Sequence, residues 1–336
     1  MKICIFYTAA LGNGHKKCAE VLEKKLKDGY DIKLIDSLKE LKLNYLIGNS
    51  YFLILKYFSG FYGNIYLNEK KLFKKYSILK DFFLYLCSFR FKRIIEEEKP
   101  DLVICTQAFP CAVFSRIKKN YKLFAVITDF HLNSSWINKN VDYYAVSCNE
   151  IKKKLEEENI DKDKIKVTGI PVDVLNKTSK KKYILIMGGG AGLGDIESVV
   201  NKLKDNFQLK VVAGKNKGLK KRLEGKCKVY GFVDDIDNIY AESFLVITKP
   251  GGLTVSELLN IQLPMILLDP LPGQEEKNFE YLIKNKIAYK LNDDLIGLIN
   301  KIISSNHEKI KDFSRPEAAV EVLHLINDLL KPFKEK

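Results

Sequence analysis

The sequence predicts an α/β protein built from two Rossmann-like, doubly wound parallel-sheet domains that face a shared cleft. Three observations predict it. Short apolar runs recur ahead of helical patterns in both halves of the chain, a lysine-rich polar break separates the two series, and each series opens with a strand running into a glycine-rich turn. The length of 336 residues agrees, because a single hydrophobic core stops growing near about 250–300 residues.

In the first half, strands are expected at residues 2–7, 31–35, 102–106, 122–128, 143–146 and 166–168, with a helix over 16–27. The opening run Lys2-Ile3-Cys4-Ile5-Phe6-Tyr7 is too short for the apolar part of an export signal and ends at a glycine turn, so it reads as a strand. The break is Lys177-Thr178-Ser179-Lys180-Lys181-Lys182. Strands then resume at 183–187, 210–213, 228–229, 244–247 and 265–268. The resulting division is a first domain over 1–172, a linker over 173–182 and a second domain over 183–315. Over 316–336 a C-terminal helix is expected, with Val320, Leu323, Ile326 and Leu330 on its apolar face, available to pack back on the first domain.

Seven scattered cysteines without a CxxC pair, several inside apolar runs, fit reduced core thiols in a cytosolic protein better than a disulfide or metal framework. The formal net charge of +14 calls for anionic partners, and its location narrows them. Between Lys42 and Ile95 ten Lys or Arg face two acidic residues, Glu69 and Asp81, a net +8. The same stretch is dense in aromatics, among them Tyr51, Phe52, Phe61, Phe82, Phe83, Tyr85 and Phe89. Basic and large apolar residues interleaved compose a surface that meets an anionic bilayer, although helix packing with a solvated lysine face has the same composition. No run reaches the roughly 18 apolar residues of a spanning helix, so the expectation is a protein on a membrane rather than across it. Nucleic acid is set aside, because the stretch carries bulky aliphatics and no reader motif.

The first strand ends in Thr8-Ala9-Ala10-Leu11-Gly12-Asn13-Gly14-His15, with Lys16 opening a helix. A helix N-terminus disfavours the imidazolium, so His15 is suited to act as a general base; a histidine that only packs its own helix fits the motif equally well. In the second half, Met187-Gly188-Gly189-Gly190-Ala191-Gly192-Leu193-Gly194-Asp195 again joins a strand to a helix and can aim N–H groups at a phosphate or a sugar hydroxyl. Its place in mid-chain argues against a nicotinamide dinucleotide. The segment Thr248-Lys249-Pro250-Gly251-Gly252-Leu253-Thr254 is strand, glycine turn and helix start, the arrangement for a diphosphate, and Glu257 one turn on can hold the hydroxyls of a ribose. The loop Asp269-Pro270-Leu271-Pro272-Gly273-Gln274-Glu275-Glu276-Lys277-Asn278 gathers amides and carboxylates that read sugar hydroxyls.

Together these segments, with Thr128-Asp129-Phe130, Trp136, Thr168-Gly169-Ile170-Pro171-Val172 and Gly231-Phe232-Val233, resemble the processive diacylglycerol glycosyltransferases of bacteria and the monogalactosyldiacylglycerol synthases of plants. These are relatives of the enzyme that adds N-acetylglucosamine to make lipid II. The resemblance implies the GT-B fold and an inverting, metal-independent transfer of a hexose, glucose before galactose, from a UDP-sugar to diacylglycerol or a glycosyl-diacylglycerol. It needs no cofactor beyond the donor substrate. It implies His15 as the catalytic histidine, Gly251, Gly252 and Thr254 as the diphosphate site, Glu257 on the ribose, Phe232 and Val233 on uracil, and Gln274 and Glu275 on the hexose. Gly14, Gly189, Gly190, Lys249, Leu253 and Asn278 complete the expected UDP-sugar contacts. Where plant members carry an acidic residue before the glycine turn, this chain has Thr8, Ala9 and Ala10, which leaves Asp129 to orient or replace His15. The expected location is the cytoplasmic face of the membrane, as a peripheral protein. A UDP-sugar epimerase and a non-catalytic UDP-sugar sensor are the competing readings.

Overall fold

The computed structural model describes residues 1–10, 12–43, 77–117, 120–173 and 179–334. The chain divides into two compact units: Met1–Val172 with Leu271–Gln274 and Glu317–Lys336, and Asp173–Pro270 with Glu275–Pro316.

The first unit is built on β1 (Lys2–Tyr7), β2 (Asp31–Asp36), β3 (Leu102–Cys105), β4 (Lys122–Val126), β5 (Tyr143–Val146) and β6 (Ile165–Val167). They form one sheet in the order β2-β1-β3-β4-β5-β6, with every pairing parallel. Ile3 to Phe6 and Leu102 to Cys105 are wholly buried, as continuous apolar runs must be when helices cover both faces of a sheet. The helices are α1 (Asn13–Leu26), the short α2 (Ser37–Glu40), α3 (Ser77–Glu98), α4 (Ala108–Phe114) and α5 (Asn149–Glu157). The strand order reverses between β1 and β3, and ligands of open α/β sheets bind beyond the carboxyl ends of strands at such a point.

Helix α1 begins at Asn13 rather than Lys16, so His15 lies inside its first turn. Of the basic, aromatic stretch, residues 44–76 lie outside the described residues. The part that is described, α3, divides its apolar side chains between two faces. Leu84, Cys87, Phe91 and Ile94 are buried, with the Phe91 ring stacked 5.0 Å from that of Phe114. Ile78, Leu79, Phe82, Phe83, Tyr85, Leu86 and Phe89 are exposed. The helix thus contributes core on one face and an exposed apolar surface on the other. Among the described residues no helix is long and apolar enough to cross a membrane.

In the second unit β7 (Tyr183–Met187), β8 (Leu209–Val212), β9 (Lys228–Tyr230), β10 (Ser243–Thr248), β11 (Met265–Leu267) and β12 (Tyr289–Lys290) form a second parallel sheet, ordered β12-β11-β10-β7-β8-β9. Its reversal lies between β7 and β10, the strands that lead into the two glycine turns. The helices are α6 (Ile196–Leu203), α7 (Lys217–Leu223), α8 (Asp237–Ala241), α9 (Gly252–Asn260), α10 (Gln274–Lys284), α11 (Leu295–Ile303) and α12 (Glu308–Asp312). Ile184, Ile186, Val211, Leu245 and Ile247 of the sheet pack with Val200, Leu203 and Ile299 of the helices. The buried Lys210 is satisfied by Glu242 and by the ring of Tyr183, 4.3 Å from its Nζ; a buried ammonium needs such partners.

The last helix, α13 (Ala318–Lys334), packs on α1 within the first unit, and Tyr30 donates to Asn327 across that contact. Its buried stripe is Ala318, Ala319, Val322, Ile326 and Leu330. The stripe is rotated from the expected one, because Val320 and Leu323 lie at its margin and Val322 at its centre. All seven cysteines are free, six of them buried.

Candidate active site

In the first unit the carboxyl ends of β1, β3 and β4 converge on the imidazole of His15. Its Nδ1 lies 2.9 Å from the Thr106 carbonyl oxygen and 2.9 Å from Thr128 Oγ1. A carbonyl only accepts, so Nδ1 carries the hydrogen and Nε2 keeps the lone pair. Thr106 also holds the backbone of the same residue, its Oγ1 donating to the His15 carbonyl at 2.9 Å. The ring is thus fixed in tautomer and orientation by two threonines, 0% and 3% exposed, that follow β3 and β4.

Loss of hydration pushes the His15 pKa below the ordinary histidine value, against a smaller opposing pull from the Asp129 carboxylate and the bond to Thr106. The first turn of α1 holds no acidic residue and no side-chain cap, so the positive end of its dipole acts in the same downward direction. Asp129 is buried beside this cluster. It reaches the ring as charge, whereas the atoms bonded to Nδ1 belong to Thr106 and Thr128. Neither threonine stands out in the sequence: Thr106 ends an apolar run, and Thr128 only precedes the acidic residue that drew attention.

In the second unit the glycine turn after β7 is a braced loop. Gly192 donates to the Gly189 carbonyl, Leu193 to that of Gly188 and Lys215 to that of Gly190, each at 3.0 Å. Among the described residues this leaves the N–H groups of Gly189 and Gly190 without an acceptor, free to meet a ligand. A Cβ on Gly192 would lie 2.0 Å from the Ala213 carbonyl oxygen, whereas one on Gly189 would meet nothing within 4 Å. One glycine is there for packing, the other leaves an open approach.

The turn after β10 leads into α9, whose first intrahelical bond runs from Val255 N–H to the Gly251 carbonyl at 3.0 Å. The N–H groups of Gly252, Leu253 and Thr254 precede that bond, α9 has no side-chain cap and its first turn no acidic residue. Such a terminus is an anion site. Lys249 is 8% exposed and pairs with Glu275 of α10, Nζ to Oε1 at 2.5 Å. Gln274 begins that helix, beside Glu275. Asn278 is 1% exposed and its Nδ2 donates to the Pro250 carbonyl at 3.1 Å, so it also holds the anion turn in place. Glu257, further along α9, accepts from the hydroxyl of Tyr240 at 2.9 Å, a partner that no sequence motif marks. Phe232 and Val233 follow β9. The Phe232 ring is 43% exposed and has Lys215 Nζ 5.9 Å from its centroid, an aromatic platform of the kind on which a flat base stacks.

Two parallel-sheet units of this topology, with glycine turns and an uncapped helix start at the carboxyl ends of the strands, define the GT-B class. Solved structures agree on the fold. The chain superposes on MurG from Acinetobacter baumannii with a TM-score of 0.61 at 15% identity, covering 98% of this chain and 100% of that one. It superposes on UDP-GlcNAc 2-epimerase from Neisseria meningitidis bound to UDP-GlcNAc with a TM-score of 0.60 at 12% identity, again covering 98% and 100%. Family models separate what the fold leaves joined: residues 15–172 match the monogalactosyldiacylglycerol (MGDG) synthase model, and residues 183–329 the glycosyltransferase family 28 C-terminal domain. A processive diacylglycerol beta-glucosyltransferase of Bacillus thuringiensis (strain Al Hakam) is 30% identical over 368 residues, spanning 96% of this chain and 92% of the relative. The chain belongs to this family of diacylglycerol glycosyltransferases.

Proposed function

We propose that the protein transfers a hexose, glucose before galactose, from a UDP-sugar to diacylglycerol or a glycosyl-diacylglycerol, with inversion and without a metal ion. The observation that carries the proposal is the commitment of His15 Nδ1 to Thr106 and Thr128, which leaves Nε2 as the basic atom of a ring whose pKa is lowered. A neutral imidazole at physiological pH is what a general base requires. In the reaction the acceptor oxygen forms a bond to the anomeric carbon while the bond from that carbon to the phosphate oxygen breaks. The hydroxyl proton passes to Nε2, and UDP leaves with the electron pair. The charge gathering on its diphosphate meets the N–H groups of Gly252, Leu253 and Thr254 and the dipole of α9, donors fixed before the reaction begins. Glu257 takes the ribose, Phe232 and Val233 the uracil, and Gln274 and Glu275 the hexose, with Gly14, Gly189, Gly190 and Lys249 completing the donor contacts. Asp129 stabilises the imidazolium as it forms.

The proposed place is peripheral, on an anionic bilayer at the cytoplasmic face of the membrane, where a diacylglycerol is presented, and the exposed apolar face of α3 supports this reading. An epimerase acting on a soluble nucleotide sugar has no use for such a face. The test is incorporation of labelled sugar from UDP-glucose and UDP-galactose, in parallel, into diacylglycerol in anionic vesicles. Product with wild type, reduced about 10²–10⁴-fold in His15→Ala, which keeps its UDP affinity, is the expected result. Measurable UDP binding with no product from either donor would sink the proposal.

A further inference from the structure

The second unit buries a tyrosine hydroxyl where the donor site has no evident need of it. Tyr240 lies in the five-residue helix α8 and is 3% exposed. Its Oη is 2.9 Å from Glu257 Oε2 and 3.9 Å from Met187 Sδ. Three segments of the proposed site therefore meet at this one side chain. Met187 ends β7 and precedes the glycine turn, Glu257 belongs to α9, and α8 itself continues the segment that carries Phe232.

We infer that Tyr240 is a positioning residue that fixes the Glu257 carboxylate to receive the ribose hydroxyls of a uridine nucleotide. The inference rests on the ribose role proposed for Glu257. A glutamate on a helix has several rotatable bonds, and ordering it only when ligand arrives costs affinity. A phenol hydroxyl donating to one carboxylate oxygen removes that cost in advance and leaves the carboxylate further lone pairs for the ligand. Shielded from water, the phenol cannot replace this bond with a hydration contact, so it holds one geometry. Burial, followed by the Glu257 charge, raises the Tyr240 pKa well above the ordinary tyrosine value. The hydroxyl therefore remains a donor across the whole working range of pH.

The experiment compares the affinities of UDP, 2′-deoxy-UDP and 3′-deoxy-UDP for wild type, Tyr240→Phe and Glu257→Gln. Donor KM and kcat are measured alongside, and thermal melting establishes that each variant is folded. In wild type UDP is preferred over the deoxy analogues. In Tyr240→Phe that preference shrinks by roughly 10-fold, the scale of a hydrogen bond to a charged group, and the loss falls on donor KM rather than on kcat or its pH profile. Equal weakening of all three ligands in a folded Tyr240→Phe would make the tyrosine merely structural and overturn the inference. If Glu257→Gln keeps the full preference for UDP, the ribose role itself is wrong and the inference falls with it. Loss of the preference in Glu257→Gln but not in Tyr240→Phe would reject the tyrosine's part alone.

Discussion

Replacing Thr128 by valine removes one of the two oxygens 2.9 Å from His15 Nδ1 and keeps the shape of the side chain. A net hydrogen bond of this kind contributes about 0.5–1.5 kcal/mol, which corresponds to roughly 2- to 13-fold in kcat/KM when the whole of it is felt in the transition state. It is felt there, because the ring becomes an imidazolium as it takes the acceptor proton, and a charged N–H donates more strongly than a neutral one. The same asymmetry sets the sign of the pH effect. Loss of an acceptor that favours the protonated ring pushes the His15 pKa further in the direction burial has already taken it. Since the neutral ring is the active form, the acidic limb of the rate profile moves to lower pH in Thr128→Val, while the plateau falls. Thr128→Ser keeps the oxygen and stays near wild type, and His15→Ala loses about 10²–10⁴-fold with the base. The assay is transfer of labelled hexose to diacylglycerol in vesicles, across about pH 5–9 to bracket the histidine range, with UDP affinity measured for each protein. Valine and serine variants that match in rate and in acidic limb, or an acidic limb that moves upward in the valine variant, would refute the reasoning.

Two further outcomes follow from the geometry. Gly192→Ala combines a φ of +62° with a Cβ 2.0 Å from the Ala213 carbonyl oxygen, so the glycine turn must shift. A cost of about 2 kcal/mol or more lowers Tm by at least about 4 °C, whereas Gly189→Ala, at φ +67° with open space, carries the backbone strain alone and melts closer to wild type; the reverse order in a melting experiment would contradict the loop geometry. Phe82→Ser with Phe89→Ser, at side chains 56% and 52% exposed, is expected to weaken sedimentation with anionic vesicles by about 10-fold or more while leaving Tm almost unmoved, and unchanged vesicle binding would remove α3 from the membrane contact.

The strands were legible because a buried parallel sheet writes itself as short apolar runs bounded by glycine turns, and β1, β5 and β7 begin and end where those runs do. The exception is β12, two residues long and too brief to leave a pattern. Helix ends were less clear. Asn13 and Gly14 have poor helix propensity, yet α1 includes them, since packing of a first turn against a sheet outweighs a preference of about 1 kcal/mol per residue. The geometry of the candidate site was legible where it is local to a turn, as in the strand, glycine turn and helix start at His15 and at Gly251 to Thr254. It was not readable where partners are far apart in the chain. Thr106 is 91 residues from His15, and Tyr240 is 17 from Glu257; no local pattern encodes such pairs. The bond from Asn278 to Pro250, 28 residues away, was hidden for the same reason.

The position of α13 gives the molecule an order of manufacture. Val322, Ile326 and Leu330 close the face of the first unit that α1 presents, yet they leave the ribosome only after every residue of the second unit has been made. A nascent first unit therefore waits with part of its apolar surface uncovered while the second unit, Asp173–Pro270 with Glu275–Pro316, is still being made. The part of the protein begun first is completed last. During that interval the emerging chain already displays the apolar outer face of α3, so two apolar surfaces stand uncovered before the fold has closed.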